Sequence, residues 1–285
     1  MKGNKLNMDD KEVYLEEIKS TYPNSDCFFS PSIKYPEYPF NEISPLPNLI
    51  YDAIRNILYR MGLDHMNYGT PKWNPLREFV EPGQKVLIKP NLVMNYEKSS
   101  IDCLVTHGSI IRAILDYVFL ATNGISEIII GDAPLQSANF NAAKQEAGWD
   151  TIKNFYDSKG IPIKLLDFRS EVTTYSGVSI MKVLKKGRAN QNCEHVLISI
   201  DKDSLLYRVE DRSPRFRATC YNPIVMSKHH GKGKHEYCIA KPALEADLFI
   251  NLPKLKTHRK AGITCSLKNL IGINSNKDYL PHHTE

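Results

Sequence analysis

The densest run of chemically able side chains in this 285-residue chain is Asn251-Leu-Pro-Lys-Leu-Lys-Thr-His258. Lys254 and Lys256 stand two apart, so an extended backbone sends both ammonium groups to the same side. Paired lysines suit a phosphate or carboxylate ligand, each acting as a compact point charge. His258 adds a group able to act as general acid–base, metal ligand or hydrogen-bonding loop residue. Further on, Lys268 and Asn269 lie in a stretch that reads as a short helix with one apolar face and a polar end. Two earlier apolar runs also end in polar groups: Lys89 and Asn91 follow one, Asp132 the other. Singly, each has an ordinary explanation, a solvated lysine or a helix-capping aspartate. Together they argue for one shared site beyond the carboxyl ends of parallel strands. In that reading Lys89, Asn91, Lys254, Lys256, Lys268 and Asn269 bind an anionic substrate, and Asp132 or His258 transfers a proton.

A metal is the other chemistry these residue types allow. His258, His282 and His283, with Asp132 or Asp278, are the candidate ligands for a divalent ion. Adjacent His282 and His283 would face opposite ways on a strand, so joint ligation needs an irregular turn. Walker-A, GxSxG and HExxH motifs are absent, as is GxGxxG after the first strand. The six cysteines, at 27, 103, 193, 220, 238 and 265, form no CxxC. That excludes a ferredoxin-type iron–sulfur motif and suits reduced, buried thiols.

Charge names the class of partner. The chain is +5 overall, yet residues 226–277 carry ten Lys/Arg against three Asp/Glu, leaving the rest near −2. Such asymmetry points to an anionic small molecule or glycan precursor. A non-catalytic polyanion or glycan binder is the alternative to an enzyme. Nucleic acid is disfavoured, because the basic segment offers few aromatics for stacking: Tyr237, Phe249 and Tyr279. No apolar run approaches the ~20 residues of a membrane span, and Met1–Glu17 lacks the apolar core of a signal peptide. The cytoplasm is therefore the expected compartment.

The elements that must position these groups follow from periodicity. Met1–Ser20 holds an amphipathic helix candidate, and Thr21–Leu46, with five prolines, should wrap a surface. A helix is expected at Pro47–Met61, a strand at Lys85–Lys89, a helix at Ser109–Asn123 and a strand at Glu127–Gly131. Helical segments within Ala138–Lys159 and a strand at Ile163–Leu166 complete a β-α-β-α-β pattern. The continuous apolar strands imply a parallel sheet covered on both faces. Short strands are expected at Thr173–Lys182, His195–Ile200, Leu205–Val209 and Phe216–Tyr221, a loop at Val225–Tyr237, and a buried strand at Asp247–Leu252. The fold class is thus α/β: a doubly wound, mostly parallel sheet with a β-rich insertion and a Pro-rich N-terminal wrap. Residues 1–80 form the extension and 81–285 the α/β domain.

The same motifs resemble a known family, the domain of unknown function 362. They are Val86-Leu-Ile-Lys-Pro-Asn-Leu-Val93, Thr106-His107 with Arg112, Ile130-Gly-Asp-Ala-Pro134, and Ala246 through His258. The likeness continues through Gly262-Ile-Thr264 and Ser266-Leu-Lys-Asn-Leu-Ile-Gly272. Gly108 departs from the proline commoner there. The resemblance implies no established reaction; surface-polysaccharide genes near some relatives are its one hint, towards glycan precursors. Similar members continue beyond the Lys-Asn-Leu-Ile-Gly segment, so C-terminal truncation at Glu285 is expected. The stripe of Ile263, Leu267, Leu270 and Ile271 should then lie uncovered.

Overall fold

A computed structural model describes residues 12–19, 21–95, 103–176, 182–189, 192–218, 222–258 and 261–284. Helix α1 spans Leu49–Arg60 and starts where Asn48 accepts the Tyr51 amide, as an N-cap should. Strand β1 (Lys85–Pro90) leads to helix α2 (Gly108–Thr122), capped by His107 and closed by Asn123 at φ 50°. Strand β2 (Glu127–Asp132), helices α3 (Phe140–Glu146) and α4 (Trp149–Ser158), and strand β3 (Ile163–Asp167) follow.

The next stretch is the insertion. It comprises β4 (Glu171–Ser176), β5 (Lys182–Arg188), β6 (His195–Ser199), β7 (Phe216–Arg217), helix α5 (Pro223–His229), β8 (His230–Gly231), β9 (Lys234–Ala240) and helix α6 (Lys241–Glu245). Strand β10 (Leu248–Leu252) returns to the main sheet. The hairpin β11 (Lys256–His258) and β12 (Gly262–Thr264), the one-turn helix α7 (Ser266–Asn269), a 3-10 turn at Leu270–Ile273, and β13 (His283–Thr284) end the described chain.

The main sheet has the order β10-β1-β2-β3, and all its pairings are parallel. Alternation along each strand separates its two faces. Val86, Ile88, Ile128, Ile130 and Ile163 join the large core with α2 and α4. Leu87 and Ile129 point the other way, into a smaller cluster with Cys193 and Ala240 from the insertion and Phe249 packed against it. The chain runs β1 to β3 in one direction across the sheet, then places β10 on the far side of β1. The strand order therefore reverses between β1 and β10, and the crevice at such a reversal is where open α/β sheets bind ligands.

The α/β class and parallel sheet match the sequence reading, and several local expectations need correction. Leu205–Val209 is not a strand: it lies in a 3-10 run over Leu205–Arg215, started by the Ser204 side chain accepting the Leu206 amide. Phe216–Tyr221 forms strand only at Phe216–Arg217, and 219–221 lie outside the described residues. Val225–Tyr237 is no open loop: Asn222 caps α5 by accepting the Ile224 amide, and Gly233 turns β8 into β9 at φ 72°. Thr173–Lys182 belongs to two strands, β4 and β5, with 177–181 outside the described residues. Of the N-terminal helix candidate, Glu12–Lys19 carries no helix and the remainder is not described.

The Pro-rich wrap does what its composition suggests. It has no regular element between 21 and 46, yet buries Phe29, Tyr38 and Phe40 in the large core. Within the apolar stripe, Ile263, Leu267 and Leu270 are exposed and Ile271 is half-buried.

Candidate functional site

Three strand ends meet at the reversal of strand order. Lys89 and Asn251 are register partners on β1 and β10, and Asp132 ends β2. Thr106 ties the ends together: its hydroxyl donates to the Leu252 carbonyl at 2.6 Å and accepts the Asn91 amide at 2.9 Å. Asn91 in turn accepts the Lys254 amide at 3.2 Å, which brings the segment after β10 against the segment after β1.

The floor of the site is a buried ion pair. Lys89 Nζ lies 2.6 Å from Asp132 Oδ1, with side-chain exposures of 0 % and 3 %. The ammonium also donates to Asn269 Oδ1 and to the Pro90 carbonyl, and Asp132 Oδ2 accepts the Leu92 amide. Burial lowers the Lys89 pKa, and Asp132 opposes that shift. Asn269 completes the floor by donating to the Lys89 carbonyl and to Asn251 Oδ1. Gly272 lids the pair. A β-carbon there would come 1.9 Å from Asp132 Oδ1, so only glycine lets this turn close. The lid is held by its own carbonyl, which accepts the Ala133 amide at 2.8 Å.

Lys89, expected to bind the anion, and Asp132, expected to transfer a proton, are thus paired with each other and buried. Asn269, expected beside them, is likewise buried at 1 % exposure.

Above the floor stand three lysines. Lys254 donates to the Tyr22 hydroxyl at 2.7 Å and sits over that ring; Tyr22 stacks on His107. Lys256 donates to the Leu104 carbonyl at 2.9 Å. Its pKa is lowered to about 8, first by burial and further by the charges of Lys268, Lys254 and Lys89, with Asp132 opposing. Lys268 is half-buried, and that burial lowers its pKa as well.

His258 and Lys268 stand side by side. The Ala261 amide donates to His258 Nδ1, which puts the proton of a neutral ring on Nε2. That nitrogen faces Lys268 Nζ at 3.3 Å.

The metal candidates do not gather. His282 and His283 touch each other, but β13 pairs with β7 rather than docking on the strand ends. Asp132 belongs to the ion pair, and Asp278 accepts the Asn222 amide. Among the described residues no group of three His, Cys, Asp or Glu side chains comes together as a ligand set.

Sequence reasoning missed Lys277, Tyr22 and the Asp167–Arg169 pair. Lys277 is buried, donates to the Ile271 and Asn274 carbonyls, and so fastens both ends of the lid turn. Burial pulls its pKa to about 7, with Asp132 opposing. Arg169 binds Asp167 at 2.6 Å and three carbonyls of the loop after β2. Tyr22 carried no signal at all, because its partner is distant in sequence.

A second concavity, of about 980 Å³, opens on the other sheet face over Leu87 and Ile129. Its lysines are paired: Lys85 with Glu245, Lys144 with Asp150, Lys164 with Glu127, and Lys241 with Glu194. The charges there cancel locally. Those of Lys254, Lys256 and Lys268 at the strand ends do not, which favours the strand-end crevice as the ligand site.

No helix among the described residues is long and apolar enough to cross a membrane. No curated protein and no solved structure matches the chain. The family model described as Domain of unknown function (DUF362) matches residues 86–201 and 215–285. Those two segments contain the strand ends, the buried pair and every lysine of the site, and the chain belongs to the DUF362 family.

Proposed function

We propose that the strand-end crevice binds an anionic small molecule, phosphorylated or carboxylate, and that the protein is an enzyme acting on it. One observation carries this reading: Lys254, Lys256 and Lys268 share the crevice, and among the described residues none of the three forms an ion pair with a carboxylate. Packing like charges together costs free energy, which a bound anion recovers. Lys254 and Lys256 hold the anion. His258 transfers a proton, and Lys268, 3.3 Å from its Nε2, orients the substrate beside it. Lys89, Asp132, Asn269 and Gly272 fix the floor so that the ammonium groups need little rearrangement on binding, the condition for strong electrostatic stabilisation.

The test is a thermal melt of the full chain in inorganic phosphate. Phosphate is expected to raise Tm, since it binds only the folded state. Lys256→Ala should weaken the binding by about 10- to 100-fold, the value of one charge-assisted hydrogen bond. The sign of the pH effect follows from Lys256, which is cationic below about 8 and neutral above it. The phosphate effect should therefore be strong near neutrality and fade as pH rises through that value. A phosphate response unchanged in Lys256→Ala would remove the proposed site. Turnover of phosphorylated sugars and sugar acids, followed for product, separates an enzyme from a binder.

A further inference from the structure

Two histidines of the insertion meet in a buried pair. His230 and His235 are register partners of β8 and β9, 1 % and 0 % exposed, with their Nδ1 atoms 3.3 Å apart. Their protons follow from their partners. His230 Nε2 lies against the Tyr279 carbonyl, which only accepts, so that nitrogen carries a proton. A neutral His230 then has a bare Nδ1, and His235 donates to it from its own Nδ1. What remains is His235 Nε2, a buried lone pair with no hydrogen-bond partner among the described residues. The pair has no place for another proton. On His230 Nδ1 it would set two donors against each other; on His235 Nε2 it would bury a donor without an acceptor.

The surrounding groups leave such a charge uncompensated. Glu236 is engaged by His229 and Lys234. Asp201 accepts the His235 amide and the Ser199 hydroxyl, and Glu210 accepts the Gly233 amide. Tyr237 crosses the His230 ring in a T-shape and bonds Ser204 through its hydroxyl. On the far side, Asp278 accepts the Asn222 amide, and Lys277 is turned to the lid carbonyls. Among the described residues no carboxylate bonds either imidazole. Burial pulls the His230 pKa to about 4, with the Tyr279 carbonyl and Glu236 opposing and the charges of His235 and His229 adding. Burial lowers that of His235 too, with Glu210 and Asp201 opposing.

The pair is also a joint. Tyr279 belongs to the 3-10 turn Lys277–Tyr279, and His229 stacks on its ring at 3.7 Å. The same turn carries Lys277, which fastens the Gly272 lid over the crevice floor. We propose that His230 and His235 form an acid-sensitive latch, which holds the Lys277–Tyr279 turn against the insertion and opens when either ring takes up a proton. The sign follows from the lowered folded-state pKa. The stability that the latch contributes is present above about 6.5 and is lost as pH falls towards about 4. At pH 5 the linkage of His230 alone favours the open form by about tenfold or more. The latch stands on these contacts; its effect on anion binding rests on the crevice being the ligand site.

The experiment is hydrogen exchange of the full chain at pH 7 and pH 5, corrected for the intrinsic pH dependence of amide exchange. Residues 270–280 are expected to lose about tenfold or more in protection at pH 5, while β1 and α2 keep theirs. The double substitution His230→Gln/His235→Asn removes both titrating rings and keeps an amide N–H at the donor position of each. It is expected to abolish the difference between the two pH values. Equal protection at both pH values in the wild-type chain would overturn the proposal, as would a difference retained in full by the double variant. Should the double variant not fold, an NMR titration of the wild-type histidine rings decides. Opening of residues 270–280 must share its midpoint with proton uptake by His230 or His235, and a midpoint belonging to another group sinks the latch. Sulfate, whose charge is constant from pH 7 to pH 5, tests the link to the crevice. Its Tm shift should shrink at pH 5 in the wild-type chain and not in the double variant. Sulfate that raises Tm at neither pH, with the exchange response intact, would refute the crevice and leave the latch standing.

Discussion

Replacing Lys89 by methionine is expected to lower stability by about 3–5 kcal/mol, the cost of breaking a buried ion pair from one side. Methionine fills much the same volume but leaves the Asp132 carboxylate uncompensated, with 3 % of its side chain exposed. It also strips the donor from Asn269 Oδ1 and the Pro90 carbonyl. For a chain of this size the fall in Tm should be roughly 10 °C. Urea unfolding measures it directly. Asp132→Asn should cost a similar amount: the amide still accepts the Leu92 N–H, but Lys89 is left as the uncompensated buried charge. Combining the two should restore part of the loss, since the double variant buries no lone charge; a strictly additive pair would contradict the coupling described here. A functional consequence accompanies the structural one. With the pair broken, the floor beneath the Gly272 turn loses its ionic tie, and phosphate binding should weaken even in the fraction that folds.

Arg112→Ala is expected to have an effect of similar size, for a related reason at a different place. Arg112 and Asp116 are one turn apart on α2, both fully buried, and 2.8 Å from each other. The guanidinium also donates to the Phe28 carbonyl and the Tyr38 hydroxyl, and lies over the Phe155 ring at 3.6 Å. Asp116 accepts from Tyr51 and Tyr156 in addition. Burial raises the Asp116 pKa, while Arg112 and the two hydroxyls oppose it. Removing the arginine takes away the largest opposing influence and drives the pKa further up. A folded carboxyl with a raised pKa keeps its proton over a window where the unfolded chain has lost it. Stability contributed by that group is therefore lost as pH rises through the window. The deficit of Arg112→Ala relative to the wild-type protein should be smaller near pH 4 and larger at neutrality, read as the gap between two unfolding curves. A gap that widens on acidification would contradict the assignment. Because the arginine anchors the wrap at Phe28, its loss should also loosen Tyr22 from Lys254 and weaken anion binding.

The elements that were legible in the sequence are those whose burial is set by local periodicity. β1, β2, β3 and β10 are apolar runs bounded by turn residues, and α1 and α2 have apolar spacing with caps at both ends. Each was placed within about two residues, the usual scatter at element ends. The insertion was harder because its segments are short and polar. In the Leu205–Arg215 run, apolar residues are too few for period 2 and period 3 to differ, and the Ser204 cap decides. The α5 region reads as basic and glycine-bearing, but Pro223 at its first turn and Asn222 before it are helix-starting signals that charge density obscured.

The sequence by itself determined which side chains stand at the strand ends, because a parallel sheet delivers the residues after each strand to one edge. Lys89, Asn91, Asp132, Lys254 and Lys256 were identifiable from that rule and their chemistry, and Lys268 and Asn269 as the polar end of a short helix. Only the tertiary structure decided their depth. Which lysine lies beneath the lid and which faces the crevice depends on the Gly272 turn, which Lys277 fastens and which comes almost two hundred residues after β1. Desolvation is a property of packing, not of residue type, and it separates Lys89, neutralised by Asp132, from Lys256, left with a pKa near 8. Spacing could place the charges at one edge; only the packed core could divide them between scaffold and site.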